Sequence, residues 1–255
     1  MIQSHLKAVL FDIGNTIAPF TRLEYEHFIA SWYSYSGLEG SDITYGIFRS
    51  AFEDVFSTEM TRSRDGSWET SPSIRSMLLV EELGNRGHDA SYALDRLMAT
   101  HTKAFSECLS LNEDARKVID ALREFEGPDG KKLRVGIISN APDGRSIRDF
   151  LEREGALDLF HPLIISAEIG ISKPSEGIFR KALKAIRVRP DQSMYVGDRY
   201  RTDILPARKL GMEAVYIRQY ITDGEPPEGV EIDGPVVLHI NELMDQIFIP
   251  RRDKT

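Results

Sequence analysis

Two acidic residues of this sequence stand directly after apolar stretches that are typical of buried strands. Asp12 follows the apolar residues 8–11 and precedes a sharp turn at residues 14–16, and Asp198 follows the apolar residues 194–196 and Gly197. A carboxylate at the end of a strand can act as a covalent nucleophile or a metal ligand, and it can also merely cap the next turn. Position 14, two residues after Asp12, holds a glycine, which has no side chain for chemistry.

Two further stretches carry groups that suit a phosphorylated substrate. Ser139 and Asn140 follow the apolar stretch RVGIIS, and their hydroxyl and backbone N–H groups can converge on phosphoryl oxygens. Lys173 precedes Pro174 and can offer a fixed cation to an anionic substrate. The alternatives are a turn that leads into a helix for the first stretch and a solvated lysine for the second.

The segment GDRYRTD places Asp198 and Asp203 at the end of a strand that leads into a helix. Beside Asp12, the two carboxylates make an oxygen-rich group of the kind that Mg²⁺ requires. The alternative for Asp203 is that it only caps its helix.

Alternating strands and helices after Leu111 predict the elements that position these residues. Asn112, Asp143, Ser175 and Asn241 are expected to cap helices, and the helix after Asn112 is expected to end at Gly127. The pattern predicts a doubly wound, mostly parallel α/β sheet with the ligand site at the carboxyl ends of its strands. Predicted strands cover residues 134–139, 163–166, 194–196, 214–217 and 236–240, and predicted helices include 176–186 and 203–210.

Residues 20–105 have a different pattern, with aromatic and aliphatic residues at helical spacing and both tryptophans of the chain. They predict an all-helical module with a polar loop at 61–72. We therefore expect an α/β core domain formed by residues 1–19 and 108–255, with a helical cap domain inserted at 20–107. The cap aromatics are expected to form the cap's own core rather than to contact a substrate.

Four short segments, in this order, resemble the haloacid dehalogenase-like (HAD) hydrolase superfamily: DIGNT, IISN, SKP and GDRYRTD. The family pattern is a strand followed by D-x-D-x-T, a strand that ends in Ser or Thr, a Lys that often precedes Pro, and a strand followed by G-D-x(4)-D. The resemblance covers the whole chain, because the helical module lies where the family's type 1 cap is inserted.

The resemblance implies a role for each matching position. Asp12 would be the nucleophile that forms an aspartyl-phosphate. Ser139 and the Asn140 amide would hold the transferring phosphoryl group, and Lys173 would neutralise charge on Asp12 and the phosphate.

The resemblance also implies a Mg²⁺ cofactor. Asp198 would bind the metal directly, together with the Asp12 carboxylate and the backbone carbonyl of Gly14. Asp203 would support the metal shell, often through water.

Gly14 departs from the family's phosphatase pattern, in which the second Asp protonates the leaving alkoxide and later activates water. General acid–base help is typically worth about 100- to 10,000-fold, or roughly 3 to 5 kcal/mol. We therefore expect weak hydrolysis of simple alkyl phosphates, unless another group replaces the missing acid.

The expected function is Mg²⁺-dependent hydrolysis of a small phosphorylated metabolite, with acyl and aryl phosphates favoured because they need little protonation. One alternative is a non-catalytic phosphate-binding or regulatory protein. Others are cleavage of a carbon–halogen bond, which the acidic GDRYRTD segment disfavours, or of a carbon–phosphorus bond, for which Lys103 would have to serve as the cap lysine.

The bulk composition disfavours or excludes several other classes of protein. A formal charge of −8 disfavours nucleic acid and anionic membranes as partners, and the chain has a single cysteine, which excludes a disulfide framework. Because no apolar run is long enough to span a bilayer, we expect a cytoplasmic protein.

Overall fold

Six parallel strands form one sheet at the centre of the protein, in the order β3-β2-β1-β4-β5-β6. The computed structural model describes residues 5–62, 70–127, 129–220, 229 and 231–248. The strands are β1 (Ala8–Phe11), β2 (Arg134–Ser139), β3 (Leu163–Ile165), β4 (Ser193–Gly197), β5 (Glu213–Ile217) and β6 (Val236–Val237).

Strand β1 lies in the middle of the sheet and is completely buried. Its Leu10 lies opposite Gly136 of β2 on one side and Tyr195 of β4 on the other. Because the chain proceeds from β1 outward through β2 and β3, and later returns to β4 on the opposite side, the strand order reverses beside β1. Open α/β sheets bind ligands at such a switch point. The predicted fold class is confirmed.

Helices connect the strands and cover the sheet. They are α5 (Glu113–Glu124), α6 (Gly144–Arg153), α7 (Ser166–Ile169), α8 (Glu176–Ile186), α9 (Leu205–Lys209) and α10 (Leu243–Phe248). Asn112, Asp143 and Ser175 cap α5, α6 and α8 through their side chains, as predicted.

Helix α5 ends earlier than predicted. Its last residue is Glu124 rather than a residue next to Gly127. The backbone of Phe125 is extended, and its carbonyl accepts a hydrogen bond from the N–H of Leu133 at 2.9 Å. Pairing with the segment that leads into β2 therefore ends the helix.

Three other predicted features differ from the structure. The predicted helix 203–210 is a π-helical turn over Tyr200–Ile204 followed by the short α9, whose first turn contains Pro206. Asn241 lies inside a short 3₁₀ turn, Ile240–Glu242, and not at the residue directly before α10, which begins at Leu243. The predicted strand 236–240 is correspondingly reduced to β6.

Between β1 and α5 the described residues form helices α1 (Arg22–Ser36), α2 (Tyr45–Arg62), α3 (Pro72–Asn85) and α4 (Leu94–Cys108). Phe28, Trp32, Phe48 and Phe52 are buried together between them. Of the predicted polar loop 61–72, residues 63–69 lie outside the described residues. The division into a core and a cap at residues 20–107 stays a proposal that this arrangement supports.

None of the helices in the described part of the chain combines the length and apolar character that crossing a bilayer requires.

Gly136 is a position where the core has no room for a side chain. A Cβ there would lie 2.5 Å from Cδ of Pro162 and 2.7 Å from the Pro162 carbonyl oxygen. We expect Gly136→Ala to lower the free energy of unfolding by about 1–3 kcal/mol, the usual cost of overpacking a core. Urea denaturation followed by circular dichroism measures this change.

Gly84→Ala is the matched control. Gly84 is exposed near the end of α3, and a Cβ there would meet no atom within 4 Å. Alanine also favours the helix by up to about 1 kcal/mol. Equal stabilities of the two variants would contradict the packing argument.

Candidate active site

The predicted site residues meet at the carboxyl ends of the three central strands. Asp12 follows β1, Ser139 ends β2 and Asp198 follows β4, and all of them line one cavity of about 350 Å³. Gly14, Asn140 and Lys173 line the same cavity. Asp203 is fully buried at 0% exposure and lies behind these residues rather than in the cavity wall. The structure thus brings all seven predicted residues to one place.

Lys173 is the centre of the polar contacts. Its ammonium Nζ lies 2.8 Å from Asp12 Oδ1 and 2.7 Å from Asp203 Oδ1, and it donates to the Tyr195 hydroxyl at 3.0 Å. The side chain is only 3% exposed. Burial by itself favours the neutral amine, but the two carboxylates more than offset it and hold the pKa of Lys173 above its usual value. Lys173 is therefore a fixed, permanent cation next to Asp12.

Asp203 is held entirely by protein donors. Its Oδ1 contacts Lys173 and lies 3.4 Å from the Tyr195 hydroxyl, while its Oδ2 accepts the Arg199 N–H at 3.1 Å. Burial, together with the nearby Asp12 charge, raises the pKa of Asp203 to about 6 even though Lys173 opposes the shift. The side chain packs directly on Gly197, where a Cβ would come within 2.6 Å of it. A glycine is required at this point.

The turn after β1 fixes the position of Asp12. The Asp12 N–H donates to the Val196 carbonyl of β4 at 2.9 Å, which continues the sheet up to the carboxylate. Asn15 then adopts a left-handed conformation with φ 54°, and its side-chain oxygen accepts the Phe20 N–H at 2.9 Å. Asn tolerates this conformation better than most residues.

The Asn140 side chain has a structural task. Its Nδ2 donates to the Lys173 carbonyl at 3.0 Å, and its Oδ1 accepts the Lys173 N–H at 2.8 Å. The loop after β2 is thereby tied to the Lys173 backbone. The part of Asn140 that remains suited to a phosphoryl oxygen is its backbone amide.

The carboxylates of Asp12, Asp198 and Asp203 form an acidic group that fits a divalent cation. One oxygen from each lies within 4.8 Å of the others, and all three residues are buried. The Lys173 ammonium contacts two of these carboxylates, those of Asp12 and Asp203. An all-oxygen, anionic donor set of this kind suits Mg²⁺.

Tyr195 is a site residue that sequence reasoning missed. It is fully buried in β4, and its hydroxyl donates to the Ile138 carbonyl at 2.9 Å while it accepts from Lys173. Burial and the nearby aspartates raise its pKa well above the usual value, so the hydroxyl stays protonated. The one available signal was a hydroxyl group within the apolar run 194–196.

The helices between β1 and α5 form the other wall of the cavity. The lining residues from this segment include several aromatic side chains, together with Thr70 and Arg75; the aromatic ones are Phe20, Tyr25, Phe28, Phe52, Phe56 and Phe105. Phe28 and Phe52 belong to the buried aromatic cluster as well. The expectation that the aromatics form only a core is thus incomplete, because the same rings also face the cavity.

Comparisons with known proteins agree with this geometry. A family model described as haloacid dehalogenase-like hydrolase matches residues 6–211. The chain is 28% identical to a glyceraldehyde 3-phosphate phosphatase of Methanopyrus kandleri over 250 residues. The matched region covers 95% of this chain and 97% of the relative. It is also 34% identical to a protein of the same name from Pyrococcus abyssi over 158 residues. That match covers 56% of this chain and 62% of the relative.

Solved structures of low sequence identity share the fold. The HAD-hydrolase YfnB of Bacillus subtilis, solved with magnesium bound, superposes with a TM-score of 0.68 at 16% identity, covering 96% of this chain and 100% of that one. A HAD phosphatase of Thermococcus onnurineus gives a TM-score of 0.65 at 22% identity, covering 95% and 98% of the two chains. The family resemblance predicted from the four segments is confirmed: the chain belongs to the haloacid dehalogenase-like hydrolase family.

Proposed function

We propose that this protein is a Mg²⁺-dependent phosphatase that works through an aspartyl-phosphate at Asp12. The observation that carries the proposal is the 2.8 Å contact between Asp12 Oδ1 and the buried Lys173 Nζ inside a group of three carboxylates. The ammonium holds the Asp12 carboxylate in position and offsets its negative charge. Relatives named as phosphatases support the same class of reaction.

In the first step a carboxylate oxygen of Asp12 attacks the phosphorus atom, and the bond between phosphorus and the leaving oxygen breaks. Water then attacks the phosphorus of the aspartyl-phosphate, which releases inorganic phosphate and restores the Asp12 carboxylate. Ser139, Asn140 and Lys173 line the same cavity as Asp12. In this proposal Ser139 Oγ and the Asn140 N–H donate to the phosphoryl oxygens, and Lys173 balances their charge.

Asp12, Asp198 and the carbonyl of Gly14 would hold the Mg²⁺. When bound, the ion would neutralise negative charge on the phosphoryl group and the surrounding carboxylates. Asp203 would support this arrangement without direct coordination, because both of its oxygens already accept from Lys173 and Arg199.

The need of the leaving oxygen for a proton limits which phosphate esters this site can hydrolyse. The acidic residues among the described cavity-lining residues are Asp12 and Asp198, and neither is placed by this proposal to protonate the departing oxygen. Aryl and acyl phosphates release stable anions and need little protonation. We therefore propose a small phosphorylated substrate with such a leaving group, whereas the glyceraldehyde 3-phosphate of the relatives is an alkyl phosphate.

Asp12→Asn should abolish phosphate release from para-nitrophenyl phosphate in the presence of Mg²⁺. The amide cannot form the acyl phosphate, although its oxygen can still accept from Lys173. Asp191→Asn is the matched control, because Asp191 is an exposed carboxylate that pairs with Arg189 at 2.9 Å. Turnover by Asp12→Asn comparable to that of the control would remove the covalent mechanism.

Removal of the metal should abolish turnover. Asp198→Asn should raise the Mg²⁺ concentration needed for half-maximal activity by about tenfold or more, because the variant loses a charged ligand. A Mg²⁺ titration of EDTA-treated protein measures both effects. Full activity of the wild type in EDTA would contradict the metal requirement, and Asp191→Asn should titrate like the wild type.

Gly14→Asp should raise the hydrolysis of an alkyl phosphate such as glycerol phosphate, relative to para-nitrophenyl phosphate, by about 100-fold. The position has room, since a Cβ there would meet only Phe20 Cβ at 3.9 Å. The measurement is kcat/KM for both substrates.

Gly14→Asn is the control for this gain, because it adds the same volume without an acid. If Gly14→Asn improved alkyl phosphate hydrolysis as much as Gly14→Asp, the missing-acid argument would be wrong.

A further inference from the structure

The part of the cavity wall that residues 20–107 provide is mostly aromatic. Two of its rings, Phe28 and Phe52, are almost completely buried among the helices. The other four, which we call the wall rings, are only half-buried; they are Phe20, Tyr25, Phe56 and Phe105. Large apolar side chains that stay half-buried in a cavity keep contact area available for a ligand.

The wall rings pack against each other and against the buried rings at steep angles. The ring centroid of Phe105 lies 5.6 Å from that of Phe20, with the planes at 64°. It also lies 5.6 Å from the centroid of Phe28, with the planes at 88°. The centroids of Tyr25 and Phe56 are 5.5 Å apart at 50°. Because neighbouring planes are tilted in this way, the wall offers both edges and faces to a further ring, which are the arrangements that aromatic pairs prefer.

The wall rings and the catalytic groups line one continuous cavity. Asp12, Ser139 and Lys173 stand at the edge of the sheet, and the same cavity of about 350 Å³ includes all four wall rings. This volume is at the lower end of the range for small-molecule sites. A phosphoryl group held at Asp12 therefore leaves room for one compact substituent, which meets mainly rings on the side of the helical segment.

The described lining residues of this segment that are not aromatic are Thr70 and Arg75. The Arg75 guanidinium is engaged within the protein, because its Nη1 lies 3.2 Å from His101 Nε2. Neither residue is needed to hold a ring, since the free energy of that contact comes from apolar area removed from water and from ring–ring packing. The wall therefore selects by apolar contact rather than by charge.

We infer that the wall rings form a subsite for an aromatic ring on the leaving group of the substrate. The inference rests on the proposed phosphatase function and narrows its substrate class to small aryl phosphates and acyl phosphates of aromatic acids.

The chemistry at Asp12 favours the same class of substrate. When the Asp12 carboxylate attacks phosphorus, the bond between phosphorus and the leaving oxygen breaks, and its electron pair stays on that oxygen as a phenolate or an aromatic carboxylate. Such anions need little protonation, which suits a site with glycine at position 14. The wall rings and Gly14 are separate features of the chain, and both favour a leaving group in which a ring stabilises or accompanies the departing oxygen.

The test compares benzoyl, cyclohexanecarbonyl and acetyl phosphate, whose leaving carboxylates have comparable basicity. With Mg²⁺ present and spontaneous hydrolysis subtracted, the wild-type kcat/KM for benzoyl phosphate should exceed that for acetyl phosphate by about tenfold or more, because a ring is buried. It should exceed that for cyclohexanecarbonyl phosphate by about threefold, because only the aromatic ring gains edge-to-face contacts. Both differences should lie mainly in KM, since the contacts exist in the bound substrate as well as in the transition state.

Phe105→Leu and Phe56→Leu each remove one wall ring and keep an apolar side chain. In both variants the ratio of kcat/KM for benzoyl over acetyl phosphate should fall by about threefold or more, while the value for acetyl phosphate changes little. Phe125→Leu is the matched control, because Phe125 is a half-buried ring that is not among the described cavity-lining residues. This control should keep the wild-type ratio.

Three outcomes would overturn the inference. The first is a wild-type ratio of benzoyl to acetyl phosphate near one. The second is an equal fall of that ratio in Phe105→Leu and Phe125→Leu. The third is a wild-type kcat/KM for cyclohexanecarbonyl phosphate that equals or exceeds the value for benzoyl phosphate, because the cavity would then select apolar volume rather than an aromatic ring.

Phosphonates separate this inference from the proposed function, because they lack the phosphorus–oxygen ester bond that the proposed reaction breaks. Calorimetric titration into the wild type with Mg²⁺ should show phenylphosphonate binding about tenfold more tightly than methylphosphonate, and Phe105→Leu should reduce this preference. If the preference is seen while none of the acyl phosphates is turned over, the phosphatase proposal fails and the ring subsite stands. Turnover of the acyl phosphates with equal kcat/KM, together with equal phosphonate affinities, has the opposite meaning.

Discussion

The buried ion pair between Lys173 and the aspartates is the interaction on which the rest of the site depends. Three carboxylates converge within 4.8 Å, and like charges this close repel strongly in a protein interior. The ammonium of Lys173 offsets part of that repulsion and is itself held by Tyr195 and by backbone bonds to Asn140. Loss of one partner from a buried pair typically costs about 3–5 kcal/mol, because the remaining charge stays buried without compensation. Stability and reactivity therefore rest on the same few atoms.

The sheet explains why residues so distant in sequence can share these contacts. Asp12, Ser139 and Asp198 each follow or end a strand, and β1, β2 and β4 are neighbours in the sheet. Parallel pairing aligns their carboxyl ends, so a side chain at the end of each strand reaches the same edge. Gly197 adds a second condition, because only a residue without a side chain lets Asp203 approach the end of β4.

Sequence patterns predicted the parts of this arrangement that depend on local rules. Apolar runs that end in polar residues indicated the strands, and Asn112, Asp143 and Ser175 could be recognised as caps because each satisfies backbone donors within three residues. Contacts between distant residues were not predictable in this way. Tyr195 looked like an ordinary strand residue, and the pairing of Arg75 with His101 joins two helices whose packing no local pattern specifies. The early end of α5 likewise depends on pairing with the segment before β2.

The open space at Gly14 allows the side chain at this position to change during evolution. A side chain can be added there without moving the backbone, since its nearest contact would be an ordinary one at 3.9 Å, in contrast to Gly136 and Gly197, where added atoms would collide. The fold therefore sets no steric barrier between a site with the second carboxylate and one without it. Mutation can cross between the two forms in one step, while the ion pair that holds the remaining residues stays in place.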